Sequence, residues 1–213
     1  MRRRGSRKIK PAILFNGLTN YYKLESTSIL NEKGASGVNN GATIVTGKIG
    51  NGVKVISGQN IDLGNVCGGL TEFAIGFWFK VDVNRTNNVL FGSGVNAINI
   101  RYNGTNVAIS VFASSAAGVS FPTTIGTYTD GLYHFGIFEY ISGGGFNGFI
   151  DGVSSEFTSP TAVGSVPQTN SYIGKNTSLT GDNTVDELFI YNRRLTNEEK
   201  AYWWNNGNGR TLP

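Results

Sequence analysis

From Phe73 to Lys80 every second position carries a large apolar side chain: Phe73, Ile75, Phe77 and Phe79 alternate with Ala74, Gly76, Trp78 and Lys80. A repeat of two is the repeat of extended chain, whose successive side chains point to opposite faces, whereas a helix would scatter these four groups around its circumference. The stretch Thr71 to Val81 therefore reads as a central β-strand with an aromatic face turned inward. A chain built on such a strand needs a second layer to cover that face.

The remaining pattern is of the same kind. Ala12 to Phe15 and Tyr21 to Leu24 flank Asn16-Gly17 and read as a first strand pair, while Glu25 to Asn51, poor in large apolar residues, reads as a long surface loop holding at most one short strand. Asn88 to Phe91, Ala97 to Tyr102 and Val107 to Phe112 follow, with Asn103-Gly104 as a tight turn; Leu132 to Ile141, Phe146 to Ile150 and Val153 to Phe157 form a meander through Gly143 to Gly145 and Asp151-Gly152. Asn170 to Ile173 and Thr184 to Tyr191 close the series. Only then does a helix signal appear, where Thr196 and Glu199 have capping-box spacing ahead of Trp203 and Trp204. The chain is expected to be all-β, a two-sheet antiparallel sandwich with one short C-terminal helix.

Composition supports this and narrows it. Thirty glycines, 12% aromatic and 15% charged residues describe many turns joining aromatic strands, which excludes a helical bundle. At 213 residues one domain with an arm is expected. A single cysteine, Cys67, allows neither an internal disulfide nor a cysteine-based zinc site. There is no membrane-length apolar run, and no apolar stretch follows the first charges, so the expectation is a chain that remains in the compartment where it is made, without membrane contact.

Charge is concentrated at the start. Arg2, Arg3, Arg4, Arg7, Lys8 and Lys10 supply six of 18 cationic residues with no acid among residues 1–11, leaving 12 cations against 14 acids in residues 12–213. Residues 1–11 thus read as a basic arm ahead of the β-domain. Such an arm suits phosphates of nucleic acid or an acidic protein surface, although its lack of interleaved aromatics gives no base readout.

Several segments together resemble the laminin-G-like, concanavalin A-like jelly-roll superfamily of lectins and glucanases. They are Tyr21-Tyr22-Lys23-Leu24, the turn Thr46-Gly47-Lys48-Ile49-Gly50-Asn51 with Gly41-Ala42-Thr43, the strand Phe73 to Lys80, Tyr133-His134 with Phe146 to Gly152, Ile173-Gly174, and the closing block Val185 to Thr196. Asn205 to Arg210 further resembles a subgroup frequent in bacteriophage structural proteins and in environmental bacterial proteins. The resemblance implies a jelly-roll sandwich and, in many members, a calcium ion at the sandwich rim. It places candidate calcium ligands at Asp186 and in the loop around Asn31, which stands where related sequences carry Asp, and Asp182 in the adjacent loop can add an oxygen or serve as a turn residue.

Enzymatic chemistry lacks its residues. Glucanases of this superfamily place acids on alternate positions of one strand, and here no two acids lie two residues apart; Asp186 and Glu187, as neighbours on a regular strand, would face opposite sides. His134 is the sole histidine and reads as a structural, hydrogen-bonded residue, and Cys67 as an inert thiol. Glycan binding would use aromatic faces, for which Tyr102, Tyr128 and Tyr172 are the candidates. The expected function is a non-enzymatic structural or adhesive protein of a bacteriophage virion, assembled in the host cytoplasm as a homo-oligomer, joined to other virion proteins or nucleic acid by its arm and presenting loops to cell-surface glycans. The alternatives are a lectin module of a bacterial surface or secreted protein and, last, a glucan hydrolase.

Overall fold

In the computed structural model the described residues are 14–94, 97–104, 107–112, 116–121, 128–141, 143, 145–158, 164–176 and 178–212. The basic arm, Arg2 to Lys10, lies outside them. Fifteen strands follow in chain order: β1 (Leu18–Tyr22), β2 (Val38–Asn40), β3 (Thr43–Thr46), β4 (Asn51–Val55), β5 (Asn60–Gly64), β6 (Glu72–Val81), β7 (Asn88–Ser93), β8 (Ile98–Tyr102), β9 (Val107–Phe112), β10 (Ala116–Phe121), β11 (His134–Ile141), β12 (Gly145–Ile150), β13 (Val153–Thr158), β14 (Ser171–Ile173) and β15 (Asn183–Tyr191). After β15 come helix α1 (Asn197–Trp204) and a 3₁₀ turn at Asn205–Gly207.

The strands form two antiparallel sheets. One has eight strands in the order β13-β12-β11-β6-β15-β4-β3, with β1 pairing the far end of β15; the other has seven, in the order β10-β9-β8-β7-β14-β5-β2. Long crossovers place β6 and β15, distant in sequence, side by side at the centre of the larger sheet. The all-β, two-sheet sandwich with one C-terminal helix is as expected.

Alternation along β6 decides where the core lies. Phe73, Ile75, Phe77 and Phe79 point between the sheets, where they meet Ile98, Ile100, Tyr102 and Ile173 of the seven-stranded sheet. Ala74 and Trp78 point the other way and are buried too, under α1, with Tyr21, Phe135, Phe189 and Trp203. The eight-stranded sheet is thus covered on both faces. Gly76 makes the second packing feasible: a Cβ there would stand 2.1 Å from the Phe189 ring, which itself stacks on Trp203 at 4.3 Å.

Helix α1 begins as its sequence dictates. Thr196 accepts from the Glu199 amide at 3.2 Å and Glu199 reaches back to the Thr196 amide at 2.8 Å, the reciprocal bonds of a capping box. Trp203 and Trp204 hold the helix to the sheet, Trp203 stacking on Phe189 at 4.3 Å and Trp204 on Trp78 at 5.5 Å.

Three expectations need correction. Of the expected strand Ala12 to Phe15 only Leu14 and Phe15 are among the described residues, and neither lies in a strand; β1 starts at Leu18 and pairs with β15, because Tyr21 and Leu18 find their apolar cover on the outer face there. The stretch Glu25 to Asn51 carries two strands, β2 and β3, both at sheet edges, where one-sided pairing tolerates short polar segments. Strands β5 and β10 have no counterpart in the sequence reading.

Candidate functional site

Register across the seven-stranded sheet assembles one row of residues on its outer face. Val38 of β2 lies opposite Asp62 of β5, Asp62 opposite Tyr172 of β14, Tyr172 opposite Gly92 of β7, and Gly92 opposite Asn99 of β8. Their neighbours Ile61, Ile173 and Ile98 point into the core, so this row faces away from it. Tyr172 is half-buried, and the Lys175 ammonium stands 4.3 Å from its ring centre. Asn170 donates to both oxygens of Asp62 at 3.2 and 3.1 Å. Chain beyond β14 turns back over Gly92, whose place a Cβ could not share, since the Lys175 carbonyl would lie 2.6 Å away. Arg101, two residues along β8 from Asn99, is half-buried with no acidic partner among the described residues.

The other two candidate tyrosines are placed differently. Tyr102 is buried in the inner core and donates to the Gly104 carbonyl at 2.8 Å. Tyr128 is buried against Phe79 and His134. Neither offers a ring face to a sugar, because the hydroxyl of a tyrosine can reach a polar partner at the core edge while its ring fills the core. Tyr172 alone of the three retains accessible surface. Asp62 was not singled out by sequence because only strand pairing brings it beside Tyr172, and Asn170 and Lys175, near Tyr172 in the chain, look like ordinary polar residues flanking a short strand.

The calcium candidates are engaged separately. Asn31 accepts from the Tyr21 and Lys33 amides, each at 3.0 Å, and donates to the Ala35 carbonyl at 3.1 Å, which ties up a loop. Asp182 pairs with Arg85 at 2.9 Å and accepts from the Ser57 amide at 3.0 Å. Asp186 accepts from the Ile49 amide at 2.9 Å. Three partner sets serve the three residues, and among the described residues no three His, Cys, Asp or Glu side chains converge as a metal cluster.

Asp186 is nevertheless unusual. Pairing of β15 with β6 slips between Asp186, opposite Trp78, and Phe189, opposite Gly76, so one extra residue is accommodated at Glu187, whose φ is 53°. The sequence reading put Asp186 and Glu187 on opposite faces; the bulge brings both to the outer face. There the Tyr21 hydroxyl donates to Glu187, and the Leu212 amide donates to that hydroxyl at 3.3 Å. A strap from Thr46 to Asn51 closes over Asp186, held by Tyr133 donating to the Thr46 carbonyl at 2.7 Å, by Ile49, and by Asn51 donating to Glu25 at 2.9 Å. Burial pushes Asp186 up to about 7 against the lowering bonds from Ile49 and Lys48, with the Glu25 charge adding to the rise. Burial likewise pushes Glu187 up to about 8, relieved by Tyr21 and reinforced by the charge of Asp186. With exposures of 0% and 1%, neither carboxyl can reach a glycosidic bond.

His134 is equally closed to catalysis. Its Nδ1 lies 2.6 Å from Asp151 and its Nε2 3.1 Å from Asp130, which leaves no ring nitrogen to activate a hydroxyl or water. Burial opposes its protonation, but the hydrogen bonds and charges of Asp151 and Asp130 outweigh that and raise its pKa above the ordinary imidazole value. Because the folded value exceeds the unfolded value of about 6.5, the clamp stabilises fully below about pH 6.5 and fades as pH rises through the raised value. In a series of urea titrations, His134→Gln should therefore lose more stability at pH 5.5 than at pH 8.5; an equal loss at both would show that His134 does not change protonation. Cys67 is buried and its thiol is pushed up to about 12 by burial, as befits an inert residue.

A two-sheet antiparallel sandwich with a polar, tyrosine-bearing outer face defines a lectin-like β-sandwich. Residues 56–199 match the family profile described as the concanavalin A-like lectin/glucanases superfamily, and the chain belongs to that family. No curated protein matches. Among solved structures it is similar to domain 4 of AbnA, a GH43 extracellular arabinanase from Geobacillus stearothermophilus in complex with arabinotriose, with a TM-score of 0.70 and 18% identity over 91% of this chain and 98% of that one. It is also similar to the binding domain of Paraclostridial Mosquitocidal Protein 1, with a TM-score of 0.72 and 15% identity over 86% of this chain and 50% of that one. A botulinum neurotoxin DC binding domain in complex with SialylT gives a TM-score of 0.68 and 11% identity over 90% of this chain and 52% of that one. The chain spans nearly all of the arabinanase domain and about half of each toxin domain, and at these identities the likeness is one of fold.

Proposed function

We propose that the chain is a non-enzymatic adhesive module that binds a glycan on the outer face of its seven-stranded sheet. The observation that carries this is the half-buried Tyr172 in register between Asp62 and Gly92, with Lys175 on one face of its ring and Asp62 and Asn170 beside it: an aromatic group surrounded by groups that bond hydroxyls. Two similar structures, the arabinanase domain and the neurotoxin binding domain, were determined with arabinotriose and with SialylT, which supports a saccharide as the ligand class. The roofed acids Asp186 and Glu187 and the doubly engaged His134 argue against hydrolysis.

The module's setting, in this reading, is a bacteriophage particle assembled in the host cytoplasm as a homo-oligomer, with the arm from Arg2 to Lys10 binding neighbouring virion proteins or nucleic acid. The support is the resemblance of the Asn205 to Arg210 block and the cationic arm; mass spectrometry of purified particles tests it. For the site, a glycan array should give saturable binding that Tyr172→Ala weakens at least about tenfold, or about 1.4 kcal/mol. A blank array, or undiminished binding by a folded Tyr172→Ala variant, overturns the glycan reading.

A further inference from the structure

Resting on the glycan reading of Tyr172, we propose that the saccharide held on the outer face of the seven-stranded sheet is acidic, carrying a carboxylate or a sulfate ester that Arg101 binds.

The observation pointing to an anion is an unpaired guanidinium. Arg101 is half-buried within β8, and its Nε is buried without a hydrogen-bond partner. The other described arginines are all engaged: Arg85 by Asp182 at 2.9 Å, Arg193 by Glu199 at 2.5 Å, Arg194 by Glu156 at 3.2 Å and Arg210 by Asn205 at 3.1 Å. Arg101 makes neither a hydrogen bond nor an ion pair among the described residues. A charge withdrawn from water without a partner is costly, and an anionic ligand group would compensate it.

Arg101 shares its face with Tyr172. Ile98, Ile100 and Tyr102 belong to the inner core, so Arg101 points outward from between the last two. Pairing of β14 with β7 and of β7 with β8 leaves two strand spacings and two residues between them, which puts Tyr172 and Arg101 about 12 Å apart on the sheet. The ligand is therefore an oligosaccharide and not a single ring. Lys175 lies on the chain that crosses Gly92 between the two, and its ammonium pairs with no acid among the described residues. Asp62 is the one acid in the row from Val38 to Asn99, and its carboxylate accepts from Asn170 and from the Gly64 amide. The face thus sets two cations against one engaged acid, although residues 12–213 hold 12 cations against 14 acids.

The donor selects the ligand group. A guanidinium is a planar fork that meets a carboxylate or a sulfate in two parallel charge-assisted bonds, whereas neutral sugar hydroxyls would leave its charge uncompensated. Nucleic acid would lay a row of phosphates on this face, and two cations beside an acid are too few to match it.

The test sets the full chain against acidic oligosaccharides and the same backbones without their acid groups. Acidic members should bind at least about tenfold more tightly, with a preference that shrinks as salt rises. Reduction of carboxyls and removal of sulfates, done separately, tell which anion is read. Arg101→Gln should abolish the preference while neutral binding and the thermal midpoint stay nearly unchanged; Tyr172→Ala should weaken both ligand classes. The arm from Arg2 to Lys10 is common to all these proteins, so attraction to it does not produce the difference. Should Arg101→Gln fail to fold, Arg101→Lys decides: it keeps the charge and loses the fork, so the preference should narrow. Equal binding of acidic and neutral members, or a preference that Arg101→Gln or Arg101→Lys leaves unchanged, overturns the acid reading and leaves the glycan reading standing. A blank array overturns both, and Arg101-dependent capture of an oligonucleotide in place of acidic glycans overturns the choice of a saccharide.

Discussion

Replacing Glu139 by Ala should cost about 3–5 kcal/mol, a large part of the stability of a domain this size. Glu139 is 1% exposed on the outer face of β11. Its carboxylate accepts from the Leu195 amide at 2.7 Å and pairs with Lys200 at 2.8 Å and with Arg194 at 3.6 Å. Lys200 is itself only 3% exposed, so losing Glu139 would strand an ammonium under α1 along with an unbonded amide at the helix approach. The double replacement Glu139→Leu with Lys200→Met should recover most of the loss, since it removes both charges and keeps the volume filled. Urea unfolding of the three proteins checks this. A single-variant loss below about 1 kcal/mol would mean that water already reaches the pair.

That network also shows where sequence reasoning ends. The repeat from Phe73 to Phe79, the Asp151-Gly152 turn and the Thr196 to Glu199 box were legible because each is local: a period, a turn dipeptide and a cap all lie within a few residues. In the structure Asp151 and Gly152 have φ of 49° and 90°, the left-handed pair that such a hairpin turn requires. Glu139 and Lys200 carry no comparable signal. Each looks like an ordinary solvated charge until β11 and α1 are packed together.

The same holds for the candidate sites. The row from Val38 through Asp62, Tyr172 and Gly92 to Asn99 draws one residue from each of five strands, so only pairing reveals it. Short edge strands such as β2 and β3 escaped notice because their polar Asn and Thr residues show no alternation. The bulge at Glu187 places a non-glycine residue at positive φ, which no residue type announces, and it reversed the facing of one of two acids. Tyr102 and Tyr128 were read as ligand faces because tyrosine serves surface and core alike.

Phe77→Ala should be the comparable loss on the other side of the sheet, about 3–5 kcal/mol. Phe77 is fully buried between the layers, with ring centres 6.0 Å from Phe79 and 5.7 Å from Phe138, and its removal leaves a cavity that two paired sheets cannot collapse to fill. Phe77→Leu should lose less, because most of the volume stays occupied. The two losses differ in what they release. Glu139→Ala acts where α1 meets the outer face, so hydrogen exchange should quicken first in the Asn197–Trp204 amides while the inner strands stay protected. Phe77→Ala weakens the contact that both sheets share, so exchange should quicken together in β6, β11 and the facing β8. If Phe77→Ala instead loosened only the helix, the aromatic stripe between the sheets would not be what holds the two layers together.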